Sequence, residues 1–342
     1  MSYNFIMNSN TMREENQFNR KREKRIAFFV VAILLCVIVI PVLFIHEKST
    51  DAFEMTTNKI QVIEDSTKWY PIDESLKIVK STDEWKREIT GENSLKVTEC
   101  HYQAAKAYLE TIGDFIFWKN AFFLGDSLTY GMQKGLTIND SITISYPQVL
   151  AEACNIENIN INAQCGTTFS TAIPNGYYAR RDDFPETADA VFVMGGINDV
   201  LNSIYCKFGD ADTPGTSLGD AKLLFDYLNE KYPEADIFYV VPYLMDIDGY
   251  FGLTVDNTDE LELMTALQKM AEDHEFYIID LHGCGFLDTL DKSCVDAIIL
   301  DGFHPNDIGY KMMGTMIGAE AIRLKTRSLD GMEGYNTNEV IN

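Results

Sequence analysis

The 342-residue chain has room for one large domain with appendages or for two small domains, and its 46% hydrophobic content can supply a sizeable core. A formal charge of −24 excludes a sequence-independent grip on nucleic acid, which needs a basic surface. Seven cysteines without a C-x-x-C pair, and no H-x-x-x-H, exclude the usual spacing of a structural zinc site.

Residues 1–25 read as a cytoplasmic tail that ends in Arg20-Lys21-Arg22-Glu23-Lys24-Arg25. Ile26 to Ile45 follows as an uncharged run of 20 residues, long enough to cross a bilayer as a helix. His46-Glu47-Lys48 comes next, and the charge asymmetry puts the N-terminus in the cytoplasm and everything after Ile45 outside the cell membrane. A cleaved signal peptide is the alternative; the length of the run and the lack of a small-x-small site in Phe44 to Ser49 count against it. Ile33-Leu34-Leu35-Cys36 lacks the small residue that precedes a lipidated cysteine, so Cys36 reads as a membrane-buried thiol. Six Lys/Arg and three Glu in residues 1–45 leave a net −27 on residues 46–342. That acidity disfavours flat docking on anionic lipid and keeps an exported domain soluble. Cys100, Cys154, Cys165, Cys206, Cys284 and Cys294 lie beyond the membrane, where disulfides are permitted. Cys284 and Cys294 share one loop-like stretch and form the best-placed local pair.

Residues 46–119 are polar and mixed, the composition of a stalk or linker. Within them Val97, His101, Ala104, Ala105, Tyr108 and Ile112 make one stripe, which predicts a helix over Val97–Ile112 packing onto the domain that follows. From Asn120 short apolar runs alternate with helical patterns. The strands are expected at Ala121–Leu124, Ile159–Asn162, Ala190–Met194, Ile237–Val241 and Phe276–Ile279. The helices are expected at Tyr146–Ala153, Leu218–Tyr232, Asp259–His274 and Asp307–Arg327. Continuous apolar strands between helices predict a parallel sheet covered on both faces, an α/β domain over residues 120–327. Ile308, Met312, Met316, Ala319 and Ile322 fall on one face of the last helix and read as core packing. Residues 328–342 read as a flexible tail.

The chemistry begins at Gly125-Asp126-Ser127-Leu128-Thr129-Tyr130-Gly131. A strand that ends in a Gly-flanked serine places a hydroxyl at the carboxyl edge of a sheet, where α/β proteins build active sites. A helix opening at Leu128 would point free N–H groups back toward Ser127, which favours an oxyanion. A base comes by elimination among five histidines. His46 sits at the membrane edge, His101 in the stalk and His274 at a helix end; His282, after the strand Tyr277–Leu281, is the rival. His304 lies in Asp301-Gly302-Phe303-His304-Pro305, where the carboxylate three residues upstream can turn back and fix the imidazole tautomer. Gly195-Gly196-Ile197-Asn198-Asp199 follows a strand, and Asn198 can aim its amide at an oxyanion or cap a helix. Asn162-Ala163-Gln164-Cys165-Gly166 follows another strand and can expose the Gly166 N–H.

On these four blocks the chain resembles the SGNH hydrolases of the GDSL esterase/lipase superfamily, over about residues 120–327. The resemblance implies a three-layer α/β/α flavodoxin-like fold with a parallel sheet of about five strands. It also implies Ser127 as nucleophile, His304 as base and Asp301 as its partner. The N–H groups of Ser127 and Gly166 and the Asn198 amide would form the oxyanion hole, with no cofactor and no metal. Two features depart from simple patterns. Asn162 stands four residues before Gly166 where the family often has five, and no glycine follows Ser127 by two, unlike the G-x-S-x-G elbow. Asp246-Ile247-Asp248-Gly249 fails as a calcium loop because Tyr250 occupies a position that needs an acid.

The expected substrate is an acylated small molecule or an envelope glycan, with O-acetyl groups on carbohydrate first. The loop aromatics Tyr177, Tyr178, Tyr250 and Phe251 are candidates for stacking on sugar rings, with domain packing the equal alternative. A lipid ester is the second substrate reading, and a tethered glycan-binding protein without catalysis is the non-enzymatic one.

Overall fold

The computed structural model describes residues 94–134, 136, 142, 144–243, 245, 257–281, 292–299 and 301–330. The expected membrane segment Ile26–Ile45, the Cys284 half of the expected local cysteine pair, His282, Tyr250, Phe251 and Asp246-Ile247-Asp248-Gly249 lie outside the described residues. Among the described residues no helix is long and apolar enough to cross a membrane.

Five strands form one sheet in the order β2-β1-β3-β4-β5: β1 (Asn120–Gly125), β2 (Asn158–Ala163), β3 (Ala190–Met194), β4 (Asp236–Val241) and β5 (Tyr277–Asp280). Every pair is parallel. Three of the helices pack together: α1 (Ser94–Ile112), α3 (Tyr146–Ala153) and α8 (Asp307–Asp330). A second group, α4 (Ile197–Leu201), α5 (Ser217–Lys231) and α6 (Asn257–Asp273), packs together in the same way. Short helices α2 (Ser127–Tyr130) and α7 (Lys292–Ala297) and a 3-10 helix at Tyr178–Asp183 complete the description. The order 2-1-3-4-5 reverses direction between β1 and β3, and ligand crevices in doubly wound sheets open at that point, beyond the strand carboxyl ends.

The strands hold together through an aromatic ladder that follows their register. Phe123 pairs with Phe192, Phe192 with Phe238 and Phe238 with Tyr277. Their rings stack at centroid separations of 5.0, 4.7 and 5.1 Å. Trp118 meets Phe192 and Phe238 edge-on, and its Nε1–H donates to Asp236 Oδ2 at 2.6 Å. In-register aromatic partners pin the sheet and fix the heights of the loops that leave its strand ends.

Sequence and structure differ at several elements. The first helix begins at Ser94 rather than Val97, with Ala105 and Ile112 buried in the domain core. The last runs to Asp330, beyond the expected 327, and residues 331–342 lie outside the described residues. On α8, Met312, Met316, Ala319 and Ile322 are buried, whereas Ile308 is 42% exposed because it sits in the first turn, at the rim. β2 is the other departure. It is an edge strand, with Ile159 and Ile161 both 38% exposed, so the two-sided cover expected of a parallel sheet holds for β1, β3 and β4 but not there.

Candidate active site

Ser127 follows β1 and opens α2. Asp126 is its N-cap: Oδ1 accepts the Leu128 N–H at 3.0 Å, which fixes the turn that lifts Ser127 off the strand. Across the sheet end, Asp301 folds back on its own loop. Its Oδ1 accepts the N–H groups of Phe303 (2.9 Å) and His304 (2.7 Å), while Oδ2 lies 2.8 Å from His304 Nδ1. Asn306 then caps α8, its Oδ1 accepting from Ile308 and Gly309 at 3.0 and 3.1 Å. His304 is therefore held between a carboxylate turn and a helix cap. Gln133 Nε2 donates to Asp307 Oδ1 at 2.8 Å and the Tyr310 hydroxyl to Met132 O at 2.7 Å, so the segment after Ser127 is tied to the start of α8. These ties bring together residues 177 apart in sequence: His304 Nε2 lies 3.0 Å from Ser127 Oγ.

The protonation pattern follows from the partners. An ionised carboxylate only accepts, so Nδ1 carries the imidazole proton and Nε2 is left to accept from Ser127. Burial pushes the Asp301 carboxyl up, but the hydrogen bond and charge of His304 and the two backbone N–H groups outweigh it. The net result holds Asp301 below the usual carboxylate range.

Asn198 lies in the first turn of α4, after β3, and its amide sits between the other two loops. Nδ2 donates to Asp126 Oδ2 at 3.0 Å and to Thr167 O at 3.1 Å. Asp126 adjoins Ser127 and Thr167 adjoins Gly166, so one amide draws all three expected oxyanion donors into one place. Both of its N–H groups are engaged, however, which the sequence did not indicate. Gly166 has φ +75° and open space where a Cβ would stand, so the backbone conformation and not crowding calls for glycine. The N–H groups of Ser127 and Gly166 have no protein partner among the described residues. Asp199 locks the arrangement from behind, accepting the N–H groups of Phe169 (2.9 Å) and Ser170 (3.0 Å).

Asn198→Ala removes both amide bonds and leaves the Thr167 carbonyl and one lone pair of Asp126 unpaired. The expected result is a kcat for ester hydrolysis about 100–1,000-fold lower, the range for losing one oxyanion donor. A kcat within threefold of wild type, in a variant with an unchanged melt, would remove Asn198 from the site.

Sequence reasoning missed the roles of Asp126, Arg180 and Asp199 and left that of Tyr177 open. The N-cap position of Asp126 was a usable signal; the others depend on contacts between distant segments. Of the two roles open to Tyr177, stacking on a sugar ring or domain packing, the structure takes the second: Tyr177 is fully buried. Its hydroxyl is shared between Asp126 Oδ2 (3.3 Å) and Met194 O (3.2 Å). A Cβ at Gly195 would come within 2.0 Å of that hydroxyl, so glycine there makes room for the ring. Among the described residues no group of three His, Cys, Asp or Glu side chains is placed to hold a metal ion. Cys154, Cys165 and Cys206 are free thiols, and burial pushes those of Cys154 and Cys206 up to about 12.

The model of the GDSL-like Lipase/Acylhydrolase family matches residues 123–312. No curated protein matches the chain. Solved structures similar to it include a protein from Lactobacillus plantarum, at 21% identity over 64% of this chain and 99% of that one, with a TM-score of 0.48. An α/β hydrolase enzyme from the metagenome of Lake Arreo, Spain, shares 18% identity over 61% and 98%, with a TM-score of 0.43. An acetylxylan esterase from Geobacillus stearothermophilus shares 16% identity over 61% and 96%, with a TM-score of 0.42.

Proposed function

As the chain belongs to the GDSL-like lipase/acylhydrolase family and is a carboxylic-ester hydrolase, we propose that it removes O-acetyl groups from a cell-envelope carbohydrate through an acyl-Ser127 intermediate. The observation that carries this reading is the unbroken chain of hydrogen bonds from Ser127 Oγ through the His304 imidazole to Asp301. Ser127 Oγ attacks the ester carbonyl as its proton passes to His304 Nε2, and the C–O π electrons move to the carbonyl oxygen. Asp301 stabilises the imidazolium that forms. The oxyanion is received by the N–H groups of Ser127 and Gly166, with Asn198 sharing the N–H now given to Thr167 O. Collapse expels the alcohol, which takes the proton from His304. Water, activated by the neutral imidazole, then frees acetate and restores Ser127.

The finer parts of the reading draw on sequence. The Ile26–Ile45 segment, basic on its N-terminal side, supports a single-pass anchor with the catalytic domain outside the cell membrane. A domain held there meets envelope glycans at high local concentration. From Ala121 onward the chain has no separate long apolar segment to cover a fatty acyl chain.

The test uses the full-length protein, in detergent and in intact cells. With 4-nitrophenyl esters, kcat/KM should fall steeply beyond about four acyl carbons, since each further methylene would need apolar room worth ~0.8 kcal/mol when buried. Acetate should be released from isolated envelope polysaccharide, and protease added to intact cells should abolish that release. Rising kcat/KM toward eight carbons with no acetate released would replace this reading with the lipid ester. Turnover of neither substrate, with Ser127 unlabelled by a phosphonate, would leave a binding protein.

A further inference from the structure

We propose that Arg180 is a positioning residue of this site: its guanidinium clamps the end of β1 to the loop carrying Gly166 and balances the buried carboxylate of Asp126. The catalytic consequence rests on ester hydrolysis at Ser127, whereas the coupling of Arg180 to Asp126 does not.

Arg180 lies in the 3-10 helix Tyr178–Asp183 and is 5% exposed. A guanidinium stays charged at any ordinary pH and brings five N–H donors, so burying one is costly unless the charge and donors are answered. Here Nη2 donates to Gly125 O at 3.2 Å, while Nε and Nη1 are buried with no hydrogen-bond partner among the described residues. Side-chain packing alone would not bring a cation and two unmet donors into the interior. The charge must be answering another, and the carboxylates whose charges act on it are Asp126 and, on its own 3-10 helix, Asp183.

Two observations say which. Gly125 O, two residues before Ser127, receives Gln164 N (3.3 Å) and Thr167 Oγ1 (3.5 Å) as well as Arg180 Nη2. Gln164 and Thr167 bracket Gly166, so Arg180 completes a three-way tie between the nucleophile's strand and an oxyanion loop. The guanidinium also lies over the Tyr177 ring, 5.5 Å from its centroid, and the Tyr177 hydroxyl reaches Asp126 Oδ2.

Asp126 has no exposed surface, and burial pushes its carboxyl up to about 6. The Leu128 N–H, His304, Tyr177 and Arg180 oppose that rise. The other titratable groups in its field are Asp199, Cys165 and four tyrosines, Tyr146, Tyr239, Tyr243 and Tyr310, all with raised values. The thiol and phenols are neutral at pH 7, and Asp199 adds a like charge. His304 is positive only when protonated. Among the described residues Arg180 is thus the permanent positive charge facing Asp126, and without it the carboxylate that holds Asn198 and caps α2 shifts toward its protonated form.

The sign of the stability effect follows. The folded protein binds the Asp126 proton more tightly than the unfolded chain, so this contribution is full below about pH 4 and is lost as pH rises through about 6. Replacing Arg180 with a neutral residue raises the folded value further and moves that loss upward.

The experiment measures the melting temperature and 4-nitrophenyl acetate kinetics of the full-length protein from pH 4.5 to 8.5. The variants are Arg180→Met, Arg180→Lys, Asp126→Asn and Arg180→Met with Asp126→Asn. In Arg180→Met the Asp126-dependent part of the melting profile, taken by subtracting the matching Asp126→Asn protein, should move to higher pH. Its kcat should fall about 10–100-fold with little change in KM, as expected for misplaced reacting groups. Arg180→Lys should keep the wild-type profile and recover part of kcat, and Arg180→Met should displace nothing when Asp126 is already Asn. An unmoved Asp126-dependent profile in Arg180→Met, or a displacement that persists without Asp126, overturns the charge role; an unchanged kcat overturns the clamp. Should Arg180→Met show no cooperative melt, Arg180→Lys decides, a displaced profile there refuting the proposal. If wild type lacks esterase activity, the hydrolase reading fails, while the melting comparison still judges the coupling.

Discussion

Replacing Ser127 with alanine should lower kcat for ester hydrolysis about a million-fold, to the residue of catalysis that binding and oxyanion donors provide alone. The reason is geometric. Ser127 Oγ is the hydroxyl 3.0 Å from His304 Nε2, and alanine leaves that imidazole with nothing to deprotonate. The same substitution should change stability by less than ~1 kcal/mol, because Ser127 is partly exposed and gives up one hydrogen bond. A fluorophosphonate should label wild type at Ser127 and leave the variant unlabelled. An active Ser127→Ala enzyme, labelled at another serine, would refute the assignment of the nucleophile.

Asp301→Asn should cost about 10⁴-fold in kcat although it alters only one atom. Asp301 Oδ2 forces the Nδ1–H tautomer on His304 and Oδ1 organises two backbone N–H groups. Asparagine can keep the second task through its carbonyl oxygen while its NH₂ faces Nδ1. The imidazole then moves its proton to Nε2, the atom that has to accept from Ser127. KM should change little, since no binding surface is removed. The acid stability of the variant supplies an independent check. Asp301 sits below its ordinary value in the folded protein, so its contribution is present at neutral pH and lost as pH falls through that depressed value. Asp301→Asn should therefore be less stable than wild type at pH 7, with the difference closing at strongly acid pH. An Asp301→Asn enzyme within tenfold of wild type would mean that another group orients His304.

The placement of the site was legible because each block sits just beyond a strand or just before a helix. Gly125-Asp126-Ser127 follows an apolar run, Asn198 follows Ala190–Met194, and Asp301 to His304 precedes the last helix. Strand apolarity and helical periodicity are local properties, and in a parallel sheet all strand carboxyl ends share one edge, so sequence position converts directly into spatial position. Asp126 was legible only in part. Its N-cap role is local, but its acceptance of Asn198 joins residues 72 apart in the chain.

The sequence by itself determined the alternation of strand and helix, the choice of Ser127, Asp301 and His304 as candidates that the fold then brings together, and the acidity of residues 46–342, all properties carried by short segments or by composition. Only the tertiary structure decided that β2 is an uncovered edge, that Tyr177 is core rather than surface, and that both N–H groups of Asn198 are already engaged. It alone revealed the buried Arg180 beneath the site. The physical reason is the range of the interactions. Hydrophobic periodicity and capping act within a few residues, whereas burial, charge compensation and the sharing of one carbonyl by three donors depend on which distant segments meet.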